Sequence, residues 1–91
     1  MKEVVIIDGV RTPIGNLGGT LKEVTNQKMG SAVVQELVKR TGMDPAQIEE
    51  VIFGCVGQYS DATNISRVIT LMAGLPISTP AYTVARNCAS G

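Results

Sequence analysis

Two hydrophobic periods alternate along this chain, and that alternation leaves it very few architectures. Val4-Val5-Ile6-Ile7 is a continuous apolar run closed by Asp8-Gly9, as expected of a central strand covered on both faces of a parallel sheet. From about Asn26 to Thr41 the period changes. Met29, Val33 and Leu37 recur every fourth place, Val34 and Val38 lie beside them, and Gln35, Glu36, Lys39 and Arg40 fall between. The spacing predicts an amphipathic helix. Thr25 or Asn26 suits its N-cap, Gly42 its left-handed stop, and Lys39 and Arg40 sit near the negative end of its dipole. Asp44-Pro45 reads as a cap followed by proline at the first helical position, so a short turn should precede the next strand.

Val51 to Val56 is apolar again, with Gly54 inside it and Gly57 just beyond, and predicts a second buried strand. The polar stretch Gln58 to Thr63 follows at its carboxyl end, the side on which open α/β sheets place their binding crevices. Ile65, Val68, Ile69 and Met72 then share one helical face between a cap at Thr63 or Asn64 and a stop at Gly74. Met72 is expected to fill core. Asn64 and Arg67, three apart, share a face; either they make a buried or interfacial polar contact or Arg67 is simply exposed. Pro76 and Pro80 bracket a turn-rich link, after which Ala81 to Val84 supplies a third strand. Strand, helix, strand, helix, strand specifies an α/β fold, a βαβαβ parallel-sheet layer with right-handed crossovers.

Charge and cysteine usage narrow the function classes. Eight basic residues balance eight acidic ones, with no block of like charge, which argues against nucleic acid or a membrane surface as partner. The run Val4–Ile7 is too short for a signal peptide's apolar region or a membrane span, so the expected compartment is the cytoplasm. The chain has no histidine, and its two cysteines, Cys55 and Cys88, lie far apart without a C-x-x-C. Neither a metal site nor a disulfide framework has its ingredients, and both thiols should be free. Arg11 to Thr20 is a glycine-rich loop with no G-x-G-x-x-G and no Walker lysine, hence a structural loop tied down by Arg11 rather than a nucleotide cradle. At 91 residues only about 60 to 65% of the unfolded chain's surface is buried on folding, so stability is marginal.

The two cysteines read differently. Cys55 lies inside an apolar strand and should pack as core. Cys88 follows the third strand and is trailed by Ala89, Ser90 and Gly91, side chains short enough to let a substrate carbonyl reach the sulfur. Placed at the mouth of a following helix, its thiol would meet unpaired N–H groups and the positive dipole end. Nearby N–H groups could hold a developing oxyanion, so Cys88 is the candidate nucleophile.

The string Asn87-Cys88-Ala89-Ser90-Gly91 after Thr83-Val84 resembles the nucleophile motif of the thiolase family. Arg11-Thr12-Pro13-Ile14-Gly15 with Gly18-Gly19 resembles its amino-terminal signature. Asn64-Ile65-Ser66-Arg67 with Gly74-Leu75-Pro76 resembles its middle one. Ala85 stands where that family often has Asn, so any hydrogen bond from that side chain is missing. The resemblance implies that residues 1–91 are the amino-terminal part of a thiolase-like N-terminal domain, incomplete and inactive alone. The expected activity of the parent is acetyl-CoA C-acetyltransferase, with Cys88 carrying the acyl group as a thioester. Acyl-CoA and CoA would be its substrates, without a tightly bound cofactor, in a homodimer or homotetramer that pairs near the third strand. Alternatives are a 3-ketoacyl-CoA thiolase of fatty-acid degradation, a β-ketoacyl synthase, or a non-catalytic interaction module. The family's Gly-His-Pro histidine, its second cysteine and its oxygen-binding asparagine have no counterpart within these residues.

Overall fold

In the computed structural model of this protein, which describes residues 2–57 and 59–91, two parallel strands carry a crossover helix on one face. The elements run α1 (Asn26–Thr41), β1 (Val51–Gly54), α2 (Ile65–Met72) and β2 (Ala81–Val84), with a 3-10 turn at Pro45–Gln47. Val51 lies opposite Ala81 and Gly54 opposite Val84. The ladder continues past both ends of β1, where the N–H groups of Val51 and Cys55 donate to the carbonyls of Pro80 and Val84, each at 3.0 Å. Parallel strands require a crossover, and α2 supplies it, packing on both strands and on α1. The α/β class with a parallel sheet is therefore present.

The sequence's punctuation sets the element ends. Thr25 Oγ1 accepts the Lys28 N–H at 3.2 Å and so caps α1, while Gly42, at φ 67°, closes it with its N–H on Val38 O. Asp44 Oδ1 accepts the Ala46 N–H at 3.0 Å to start the 3-10 turn. Asn64 caps α2 through the Arg67 N–H, and Gly74, at φ 83°, turns the chain away after it. In each case a side-chain acceptor or a left-handed glycine satisfies backbone groups the helix leaves over.

Ala62, Ile65 and Ile69 form the core, with Val34, Phe53, Cys55 and Val68 packed around them. Burying a side chain such as Ile69, 1% exposed, contributes about 1.5–3 kcal/mol. α1 reaches this core through its smallest residues, since Gly30 and Ser31 are its buried positions. A Cβ on Gly30 would stand 2.8 Å from Ile69 Cγ1, so glycine permits the helices to close. On α2 the wholly buried Ser66 and Thr70 complete the packing. Ser66 Oγ accepts the Phe53 N–H at 2.8 Å, Ser66 N–H donates to Thr83 Oγ1 at 3.2 Å, and the Thr70 hydroxyl donates to Ser66 O at 2.7 Å. Polar side chains can occupy a core when their hydrogen bonds are made inside it.

Three expectations are corrected. Val4–Ile7 forms no strand: Val4 and Ile6 are 93% and 95% exposed. A strand buried on both faces needs two apolar layers. Here the segment meets one side of α1, across a gap of about 250 Å³ lined by Val5, Ile7, Leu37 and Val38. β1 ends at Gly54 rather than Val56, because Ser90 and Gly91 cross over Gly54. Met72 is 45% exposed rather than core, because the buried arc of α2 is turned toward Ser66 and Thr70 and leaves Met72 at its edge. No helix among the described residues is long and apolar enough to cross a membrane.

Candidate active site

β2 carries the chain to the carboxyl edge of the sheet, where the last residues fold into two overlapping turns. Ala89 N–H donates to Arg86 O at 3.0 Å and Ser90 N–H to Asn87 O at 3.1 Å. Cys88 stands within this pair, an exposed free thiol. The residue before it, Asn87, has φ 51°, the one non-glycine residue with positive φ among those described. Asparagine tolerates the left-handed region better than most side chains, and a left-handed residue reverses the chain in little space.

Two further features hold the turn. The Ser90 hydroxyl accepts the Arg86 N–H at 2.8 Å and donates to Asn87 O at 2.7 Å, so it bridges backbone groups on either side of Cys88. Beneath it lies Gly54, where an added Cβ would stand 2.5 Å from the Ser90 carbonyl carbon and 2.8 Å from Gly91 N. Only glycine leaves room for the returning chain. A glycine inside an apolar strand is the signal of such an approach. The bridging role of Ser90, by contrast, has no signal in residue type alone.

The N–H groups of Ala89 and Ser90 are turned back to Arg86 O and Asn87 O. Cys55 behaves as expected of core: it is half-buried, packs on Ala62, Ile65 and Ile69, and its thiol donates to Gly57 O at 2.9 Å.

The Asn64–Arg67 pair makes the polar contact. The Arg67 guanidinium donates to Thr79 O and Ile77 O, both at 2.8 Å. Asn64 Nδ2 donates to Ala81 O at 3.2 Å, and its Oδ1 accepts the Thr83 hydroxyl at 2.8 Å. Together they pin the 76–80 link and β2, the strand that delivers Cys88. Among the described residues Arg11 does not tie its loop to another element; its guanidinium donates to Thr12 O, one residue away, at 3.2 Å. Arg11 and Thr12 line a cavity of about 380 Å³ with Asn26, Met29, Phe53 and Cys55. Of the loop after β1, Gln58 lies outside the described residues, and Tyr59 and Ala62 form an antiparallel bridge. No cluster of three metal-ligating side chains occurs among the described residues.

A parallel α/β layer that ends a strand in a thiol-bearing turn belongs to the class of proteins in which chemistry sits at the carboxyl edge of the sheet. Residues 4–91 match the family described as "Thiolase, N-terminal domain", and the chain belongs to that family. It is 43% identical to an acetyl-CoA acetyltransferase of Syntrophomonas wolfei over 99% of this chain. It is 40% identical to a probable acetyl-CoA acyltransferase of Staphylococcus aureus over 100% of it. In both cases it spans 23% of the relative's length. The crystal structure of the Bacillus anthracis acetyl-CoA acetyltransferase superposes with a TM-score of 0.84 at 45% identity, covering 91% of this chain and 21% of that one.

Proposed function

We propose that residues 1–91 are the nucleophile-bearing, amino-terminal part of a thiolase-like N-terminal domain, in a cytoplasmic acetyl-CoA C-acetyltransferase. The observation that carries this reading is Cys88, exposed in a tight turn directly after a parallel strand, in a chain whose relatives are named as acetyl-CoA acyl- and acetyltransferases. In the first half-reaction the Cys88 sulfur attacks the carbonyl of acetyl-CoA. The new C–S bond forms, the bond to the CoA sulfur breaks, and the thiol proton leaves with CoA. In the second, a base removes an α proton from another acetyl-CoA. The resulting carbanion attacks the acyl-enzyme, forming acetoacetyl-CoA and releasing the Cys88 thiolate, which takes up a proton. The groups to which the thiolase resemblance assigns this proton transfer, a histidine and a second cysteine, have no counterpart within residues 1–91.

The reading extends to CoA thioesters as substrates and to a homodimer or homotetramer. The name acyltransferase among the Staphylococcus relatives favours a second reading, cleavage of longer 3-ketoacyl-CoA chains by the same sulfur. Incubating the complete enzyme with acetyl-CoA and digesting it should yield the Cys88 peptide bearing one acetyl group, and Cys88→Ala should lose it. Full acetylation of the Cys88→Ala enzyme would overturn the assignment.

A further inference from the structure

We propose that Ser90 is a positioning residue for Cys88, its hydroxyl fixing the turn that presents the sulfur. The proposal rests on the reading of Cys88 as nucleophile and adds a residue to it. Among the described residues, Ser90 Oγ is the one side-chain atom bonded to the backbone of this turn, and it serves both flanks, accepting from Arg86 N–H at 2.8 Å and donating to Asn87 O at 2.7 Å. Between those two contacts the chain holds a left-handed asparagine at φ 51°. Such a backbone persists only where neighbours over-determine it. Gly54 supplies the complementary restraint from below, since the Ser90 carbonyl rests where a Cβ would go. The hydroxyl closes the turn from within, and the missing side chain lets it seat on the sheet. A sulfur on a turn held from two sides meets a bound carbonyl in one geometry. On a loosened turn the reacting atoms are out of line for most of the time, and a misplacement of about 1 Å can cost about 100-fold in rate.

The test compares Ser90→Ala, Ser90→Thr and Gly54→Ala in the complete enzyme. Three quantities are read: kcat and KM for acetyl-CoA, the rate at which iodoacetamide alkylates Cys88 by peptide mass, and hydrogen exchange at the Arg86 amide. Ser90→Ala should lower kcat by about 10- to 100-fold with KM within about twofold, change the alkylation rate at Cys88 but not at Cys55, and speed exchange at Arg86. Ser90→Thr keeps the hydroxyl and should stay within about threefold of the parent kcat. Gly54→Ala should reproduce the kcat loss with the hydroxyl still present. A Ser90→Ala enzyme with parent kcat, alkylation rate and Arg86 exchange would overturn the proposal. So would a loss that Ser90→Thr shares in full. If the parent enzyme takes no acetyl group on Cys88, the nucleophile reading fails by itself. The alkylation and exchange rates then decide whether Ser90 holds the turn.

Discussion

The packed part of the molecule built from α1, β1, α2 and β2 and the segment before Asn26 both carry apolar runs, with opposite fates. Ile69 is 1% exposed and Ile6 95%. Around Ile69 every face is met: Gly30 closes from α1, Phe53 from β1, and the polar faces of Ser66 and Thr70 are satisfied internally. Ile6 has no such enclosure, and beside it a space lined by Val5, Ile7, Leu37, Val38, Met43 and Ile48 stays open. The radius of gyration, 14.0 Å against about 12 Å for a globular chain of this length, reflects that looseness. A strand's hydrophobicity is thus an offer of burial, and the offer is taken up only where a second layer exists to accept it.

The largest effect that would break this contrast is expected at the centre of the packed half. Ile69→Ala should destabilise by about 3–4 kcal/mol, because the buried methyl groups leave a cavity between two helices and the sheet. Denaturant unfolding monitored by circular dichroism measures it; a loss below about 1 kcal/mol would mean the site collapses freely and the half is not rigidly packed. Next comes Ser66→Ala, which strips the acceptor from the Phe53 N–H and should cost about 1–3 kcal/mol as an unsatisfied buried donor. Exchange of the Phe53 amide should speed in proportion, whereas a neutral result would mean another acceptor replaces the serine.

Those two residues also show what residue type and spacing could and could not convey. Ile69 was legible from helical spacing, as were the caps at Thr25, Gly42 and Asn64 and the two apolar strands on either side of α2, because each depends on neighbours within a few positions. Ser66 was not, since its burial depends on a donor and an acceptor on the two strands, nor was Thr70, whose hydroxyl is satisfied by Ser66 O within α2. For the same reason Met72 was misplaced: the arc of α2 facing the core was set by partners, not by hydrophobicity. At the candidate site, Cys88 and its strand could be read locally. The bridging of Ser90, the left-handed φ at Asn87 and the engagement of the Ala89 and Ser90 amides come from how the chain folds back, which no residue pattern encodes.

A smaller effect is expected at the link between α2 and β2. Arg67 donates from two separate nitrogens to Thr79 O and Ile77 O, a fork that an ammonium group cannot reproduce. Arg67→Lys should keep one contact and cost about 1 kcal/mol, with faster amide exchange in the 76–80 link and β2 and little change in α1. Unchanged stability would show that the link holds itself and that Arg67 plays no part in placing β2.

The smallest effect sharpens the contrast from the other side. Ile6→Asp puts a charge into the most apolar run of the chain, and in a buried strand such a change would cost several kcal/mol, since an unpaired buried carboxylate is heavily penalised. Here the side chain is almost wholly in water and no strand pairs with it, so a carboxylate loses no hydration and interrupts no ladder. The expected change is below about 0.5 kcal/mol, as for exposed substitutions generally, and the amides of residues 4–7 should exchange at nearly unprotected rates in both proteins. A cost of several kcal/mol, with protected amides in the parent, would mean that the run is paired and covered. In that event its sequence would be a better guide to its environment than the open space beside Val5 and Ile7.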